Sequence, residues 1–279
     1  MDLFRLLIGM VLSSAIGLAG YRAEALSLSG VLGAILTGTV IFGFGGWSWG
    51  LLLIAFFVSS SLLSRYREAE KETLAEKFAK GHRRDLGQAL ANGGWGAILA
   101  LAYAFGGGGR LLWAAFTGAM AAVTADTWAT EVGVLSPQRP RLITTGQPVP
   151  VGTSGAVSRL GTLAALSGSL FIGLTMLLFQ VAGSALGNRP GLWNDVFIVP
   201  AGAAGGLVGT VVDSLLGATV QAIYYCDRCR KETEQKVHRC GRRTHRLRGW
   251  RWLNNDVVNF LSAVAGSGAA LLVGLLGWG

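Results

Sequence analysis

Asp213 lies inside the apolar run "PAGAAGGLVGTVVDSLLGATVQAIYY", Asp126 and Glu131 close another in "TADTWATEVG", and Asp256 opens a third in "WLNNDVVNFLSAVAG". An ionised carboxylate in lipid is costly enough that it usually pairs with a cation or serves function. Hard oxygen ligands drawn from several helices suit Mg²⁺, which needs one or two carboxylates plus substrate phosphates and water. We therefore expect Asp126, Glu131, Asp213 and Asp256 to hold Mg²⁺, and Asp126, Glu131, Asp213 and Asn92 to be catalytic. Asp126 and Glu131 are five positions apart, about 140° around a continuous helix, so both face one site only if the helix ends or unwinds near Thr130. Gly133 and Pro137 favour such an ending.

Stepping by four from Gly205 gives Gly209, Asp213, Gly217 and Gln221, one face that is small or polar throughout. Helix packing alone accounts for the glycines and leaves Asp213 over. Arg84, Gln88, Asn92 and Gly96 repeat the spacing, and Asn255, Asn259, Ser262 and Gly266 share a side of the last apolar run. Helix capping by Asn254 or Asn255 explains one of those polar groups. Two polar stripes imply a shared cleft. The stretch "TTGQPVPVGTSGAVSRLG" sets Gly146, Gly152, Gly155 and Gly161 among Thr144, Thr145, Thr153, Ser154 and Ser158, and runs into a helix N-terminus between Arg141 and Arg159. Converging N–H groups and hydroxyls at a helix start make a phosphate cradle, although the pattern is not the Walker sequence and such a stretch can be only a loop.

Holding these residues requires many helices. With 279 residues, 51% hydrophobic, 14% charged, 42 glycines and a mean hydropathy of +0.48, the chain is too apolar for an ordinary soluble domain. Apolar segments fall near residues 3–20, 26–46, 47–64, 88–106, 110–128, 158–184, 194–222 and 256–278. The first lacks the basic start of a signal peptide and reads as a retained helix. The expected fold is all-α, a polytopic integral membrane protein of about eight transmembrane helices forming a single membrane-embedded domain over 1–279. Of 24 Lys and Arg, all but Arg5, Arg110 and Arg189 fall on one side of such a topology. That asymmetry puts both termini outside and the loops 65–87, 129–157 and 223–255 in the cytoplasm. Anionic lipid and phosphate explain the basic balance; nucleic acid does not, because no reading module accompanies the juxtamembrane charge.

All three cysteines, Cys226, Cys229 and Cys240, share the last of these loops with His238. Cys-x2-Cys followed by His-x-Cys can supply four ligands to a structural Zn²⁺, and a cytoplasmic setting argues against disulfides. The alternative is a reduced basic loop.

The motifs "GQALANGG", "ADTWATEVG", "LITTGQPVPVGTSGAVS", "DSLLGATVQ" and "NNDVVNFLS", in this order, resemble those of the transmembrane protein 19 family, formerly a domain of unknown function. The family includes the plant chloroplast phytyl-phosphate kinase and is similar to CTP-dependent polyprenol kinases and CDP-lipid synthases. The resemblance implies phosphoryl transfer from a nucleoside triphosphate, with CTP favoured, to an isoprenoid monophosphate in the bilayer, of phytyl or geranylgeranyl type. On the matching motifs it implies binding roles for Gln88, Thr145, Gly146, Gly152, Thr153, Ser154, Gly155, Ser158, Ser214, Gln221, Asn255 and Asn259, beside Arg84, Arg141 and Arg159. It further implies the plasma (inner) membrane of a prokaryote or a thylakoid-type membrane, with the active site facing the cytoplasm. Two other activities fit the same residues: transport of an anionic or lipid-phosphate solute, and a cytidylyltransferase that forms a CDP-lipid.

Overall fold

Capping side chains mark where the helices begin. A computed structural model describes residues 3–67, 83–187 and 195–276, without the side chains of 184–187. Ser27 accepts from the Gly30 N–H ahead of the helix Leu28–Val40, and Asp85 forms a capping box with Gln88 ahead of the helix Leu86–Phe105. Ser158 Oγ accepts from Gly161 N at 3.0 Å, and Asn254 Oδ1 accepts from Val257 N at 3.1 Å. Of the two expected caps, Asn254 is the one used.

The long helices are α1 (Leu3–Arg22), α2 (Leu28–Val40, continued by a π turn Ile41–Gly45), α3 (Trp47–Arg65), α4 (Leu86–Phe105), α5 (Arg110–Gly133), α6 (Arg159–Gly187), α7 (Ile198–Thr219) and α8 (Asn255–Leu276). The chain is a mainly α-helical integral membrane protein, and the all-α expectation is modified by two small sheets. Among the described residues, six of these helices, all but α4 and α5, are long and apolar enough to cross a membrane by composition. Gln88 and Asn92 make α4 more polar. α5 carries Thr117, Thr124, Asp126 and Thr127 and is shielded by its neighbours: every residue from Ala114 to Ala125 is buried.

Small residues let that centre close. α5 packs against α6, α7 and α8, and a Cβ on Gly205 of α7 would stand 2.5 Å from Gly118 Cα in α5 and 2.8 Å from the Gly266 carbonyl oxygen in α8. One turn further along α7, a Cβ on Gly209 would collide with Ala122. The glycine face read in the sequence is therefore a three-helix contact. Two turns from it on α5 and α7, about 12 Å at 1.5 Å per residue, stand Asp126 and Asp213.

Two small sheets add to the helices. β1 (Arg141–Leu142) pairs antiparallel with β2 (Ala156–Val157); β3 (Ile223–Cys226) lies between β4 (Lys231–Thr233) and β5 (His245–Arg248), both antiparallel to it. α5 runs unbroken past Thr130 and ends at Gly133; the ending falls where Gly133 favours it but beyond Glu131, so Asp126 and Glu131 lie on one continuous helix. Most of the 65–87 loop, residues 68–82, and Arg189 lie outside the described residues.

Candidate functional site

The C-terminal ends of α3, α5 and α7 and the N-terminal ends of α4, α6 and α8 surround a cavity of about 870 Å³. In an up-and-down bundle those ends share one face, so a single mouth collects residues from six helices. The loop carrying β1 and β2 and the β3–β5 sheet contribute the rest of the wall.

Five carboxylates line it: Asp126, Glu131, Asp213, Glu234 and Asp256; four cationic side chains join them: Arg84, Lys236, Arg239 and Arg251. Asp126, Asp213 and Glu234 are near enough to interact electrostatically. The Ser262 hydroxyl reaches Asp213 Oδ2 at 3.3 Å. Glu131 points to another wall, where Ser64 Oγ donates to its Oε1 at 2.7 Å and Arg84 is its electrostatic neighbour. Asp126 and Glu131 thus share the cavity despite their angular separation, because the cavity wraps around the end of α5.

Arg84 is fixed by its backbone. Its N–H donates to the Ala25 carbonyl at 3.0 Å and its carbonyl accepts from Ser27 N at 3.0 Å, tying the start of α4 to the turn between α1 and α2. Its guanidinium lies 5.5 and 5.7 Å from the Phe56 and Phe57 ring centres, and its buried Nη1 has no hydrogen-bond partner among the described residues. Arg84, Gln88 and Asn92 also border a narrow apolar cleft lined by Ile16, Leu26, Phe42, Leu53, Phe56 and Phe57. Gln88 Oε1 is engaged by the Asp85 N–H at 3.2 Å.

The glycine-rich stretch divides in two. Gly152, Thr153, Ser154, Gly155 and Ser158 line the cavity, as do Ser214, Asn255 and Asn259. Arg141, Thr145, Gly146 and Arg159 are not in its wall: the first three belong to a tight turn in which Arg141 Nη1 donates to the Gly146 carbonyl at 2.8 Å, and Arg159 is exposed on the first turn of α6. Two N–H groups of the cavity-facing half are committed to local turns, Thr153 to the Pro150 carbonyl at 3.2 Å and Ala156 to the Thr153 carbonyl at 3.1 Å. Gln221 is buried behind the wall, accepting from Ser154 Oγ and donating to Glu234 Oε1, each at 2.8 Å.

Glu234, Lys236, Arg239 and Arg251 also line the cavity but carry no spacing that points to it; from the 223–255 loop the sequence offers only Asn255 to the site, beside the four ligands for a metal. Only the sheet brings them there. Within that sheet the Cys226, Cys229 and Cys240 sulfurs and a His238 ring nitrogen all lie within 4.8 Å of one another. Hydrogen bonds from the Arg242 backbone and the His238 ring draw the Cys240 thiol down to about 6, whereas the neighbouring Cys240 sulfur pushes Cys229 up to about 11.

Residues 11–267 match the family described as integral membrane protein DUF92. Protein PGR of Arabidopsis thaliana is 33% identical over 272 residues, covering 93% of this chain and 92% of its own. An uncharacterized membrane protein of Methanocaldococcus jannaschii is 34% identical over 216 residues, 77% of this chain and 83% of that one. Protein VTE6, chloroplastic, of Arabidopsis thaliana is 28% identical over 256 residues, 89% of this chain and 65% of that one. No solved structure matches significantly.

Proposed function

The chain belongs to the DUF92 family of integral membrane proteins, a membrane family with prenyl-phosphate kinase members, and from that premise we propose that it is a CTP-dependent kinase of an isoprenoid monophosphate. The observation that carries this reading is that a polar cavity lined by acids and cations and an apolar cleft share Arg84, Gln88 and Asn92 in their walls. A substrate with a lipid tail and a phosphate head needs both environments. The cleft, about 70 Å³, takes only the first carbons of the tail and leaves the rest to lipid, and the phosphate meets the Arg84 guanidinium, whose buried Nη1 is available to donate.

The nucleotide takes the opposite wall. Asp126, Asp213 and Glu234 offer hard oxygen donors from three separate elements, which fits Mg²⁺ bound to the triphosphate and keeping part of its water shell. Bound there, Mg²⁺ supplies charge neutralisation to the transferring phosphoryl group. Gly152, Ser154 and Gly155 line the same cavity and would contact the phosphates, and Lys236 and Arg239 add positive charge to its wall. An oxygen of the lipid phosphate attacks the γ-phosphorus; the bond from that phosphorus to the β–γ bridging oxygen breaks, and the nucleoside diphosphate leaves with the electron pair. With a second pKa near 6, the acceptor is already largely dianionic at neutral pH, so no base need take a proton. Arg22, Arg65, Arg84, Arg139, Arg141 and Arg159 lie at or near the cavity end of the bundle, and Arg5 and Arg110 at the other, which supports a cavity facing the cytoplasm.

Product analysis tests the reading. Purified protein in detergent with Mg²⁺, γ-labelled CTP and phytyl or geranylgeranyl phosphate is expected to move label into the lipid diphosphate and release CDP. Pyrophosphate release with cytidine on the lipid would assign a cytidylyltransferase instead. Solute flux without any nucleotide chemistry would assign a transporter.

A further inference from the structure

Cys226 ends β3, Cys229 follows in the β3–β4 turn, and His238 and Cys240 bracket a second turn ahead of β5. All three cysteines are free thiols. The two turns close alike but differ in length by one residue, following the spacing of their ligands. The residue after the second ligand of each pair adopts positive φ, Arg230 at 53° and Gly241 at 79°. Its N–H closes the turn on the carbonyl of the first ligand: Arg230 N to Cys226 O at 2.7 Å, and Gly241 N to His238 O at 2.8 Å. A non-glycine residue held at positive φ is uncommon and indicates a constraint on the turn. Here the constraint presents two pairs of soft ligands to one point.

The separation of the sulfurs fits a cation between them. Zn–S bonds of about 2.3 Å at tetrahedral angles put ligand sulfurs about 3.8 Å apart. Cys226 Sγ and Cys240 Sγ are 3.7 Å apart. His238 is 7% exposed, and its Nε2 is buried without a hydrogen-bond partner among the described residues. Cys226 and His238 are buried and Cys229 and Cys240 half-buried, so the four donors gather at one point at the edge of the small sheet.

We propose that Cys226, Cys229, His238 and Cys240 bind one structural Zn²⁺, which clasps the β3–β5 sheet against the cavity mouth. The four ligands are all protein side chains, so the site is closed and leaves no position for substrate. The residues tied between the two ligand pairs include Glu234, Gln235, Lys236 and Val237, all in the cavity wall. The connection to the bundle is direct: Glu234 accepts from Gln221, Gln221 accepts from Ser154, and Arg248 Nη1 donates to the Gly217 and Ala218 carbonyls at 2.9 and 2.8 Å. Zinc therefore holds the nucleotide side of the mouth in place without taking part in chemistry there.

Full-length protein purified in detergent without chelator is expected to carry about one zinc per chain by elemental analysis. Co²⁺ exchanged into it should give the visible bands of a tetrahedral site and a thiolate-to-cobalt charge-transfer band. Cys229→Ser should lose the metal, whereas Cys229→His should retain it. Because Cys226 is fully buried, Cys226→Ser is replaced by a measurement on the native chain: chelation should expose β4 and β5 to protease while the helices stay protected. Protein without metal above background, an octahedral cobalt spectrum, or a Cys226–Cys240 disulfide found by mass spectrometry would each overturn the proposal. None of these readouts depends on kinase activity, so the zinc site and the catalytic reading fail separately.

Discussion

The Ser262 hydroxyl stands between two acceptors, 3.3 Å from Asp213 Oδ2 on the neighbouring helix and 2.9 Å from the Val258 carbonyl on its own. It has one proton to give. Asp213 is thus held across the α7–α8 interface by a shared hydrogen bond, which leaves its carboxylate open to the cation proposed for this wall.

Asp213→Asn should abolish Mg²⁺-dependent turnover in protein that still inserts and unfolds at a near-native temperature, because volume is conserved and charge is lost. Ser262→Ala touches only the supporting hydrogen bond and should weaken the apparent Mg²⁺ affinity by about 10-fold, the low end for residues that orient a metal ligand. Mg²⁺ titrations of turnover check both. An Asp213→Asn protein with near wild-type turnover would remove the metal from this wall.

Gly205→Leu should act on the fold. Any Cβ at Gly205 presses on Gly118 Cα and the Gly266 carbonyl oxygen, neither of which can rotate away, and overpacking of this kind costs about 1–3 kcal/mol or more. The expected result is a lower unfolding temperature in detergent, with turnover falling in proportion to the folded fraction. A folded, inactive variant would mean that the glycine contact does more than set helix separation.

The glycine contact was legible because helical spacing survives in sequence: Gly205, Gly209 and Asp213 differ by fours, and a face so small signals close approach. The acids at its end followed from their cost in lipid. The hairpin that turns Arg141, Thr145 and Gly146 away from the cavity was not legible, since it depends on pairing Arg141 with Val157 across an intervening loop. Glu234 was hidden for a related reason. Its stretch has no apolar period, and three short strands with non-local pairing decide where it points. Asp126 and Glu131 reach one cavity from a continuous helix because the cavity wraps around the end of α5, a breadth that helical spacing does not convey.

Glu234→Gln keeps an acceptor for the Gln221 amide while removing the charge beside Asp126 and Asp213. If Glu234 belongs to the cation site, apparent Mg²⁺ affinity should fall by about 10- to 100-fold with zinc content unchanged. Unchanged Mg²⁺ dependence would confine Glu234 to tethering the sheet through Gln221.

Separating nucleotide binding from chemistry needs variants that leave the loop intact. Gly155→Val does not qualify: its Cβ would strike the Ala218 backbone at the end of α7, and φ is +79°, so lost CTP affinity would follow from displacement of the loop whether or not phosphate touches it. Lys236→Ala is a cleaner probe, because the side chain is exposed at the cavity mouth and its removal leaves the turns unstrained. A charge-assisted contact to phosphate contributes about 1.5–3 kcal/mol, so KM for CTP should rise by about 10- to 100-fold with kcat retained. Asp126→Asn should do the reverse, lowering kcat at saturating CTP while nucleotide still binds, since its charge is needed as the phosphoryl group transfers. Steady-state kinetics and CTP binding in detergent with Mg²⁺ read out both. Equal effects of the two variants on kcat and KM would erase the proposed division of the cavity, and failure of the active wild-type protein to bind any nucleoside triphosphate would favour transport.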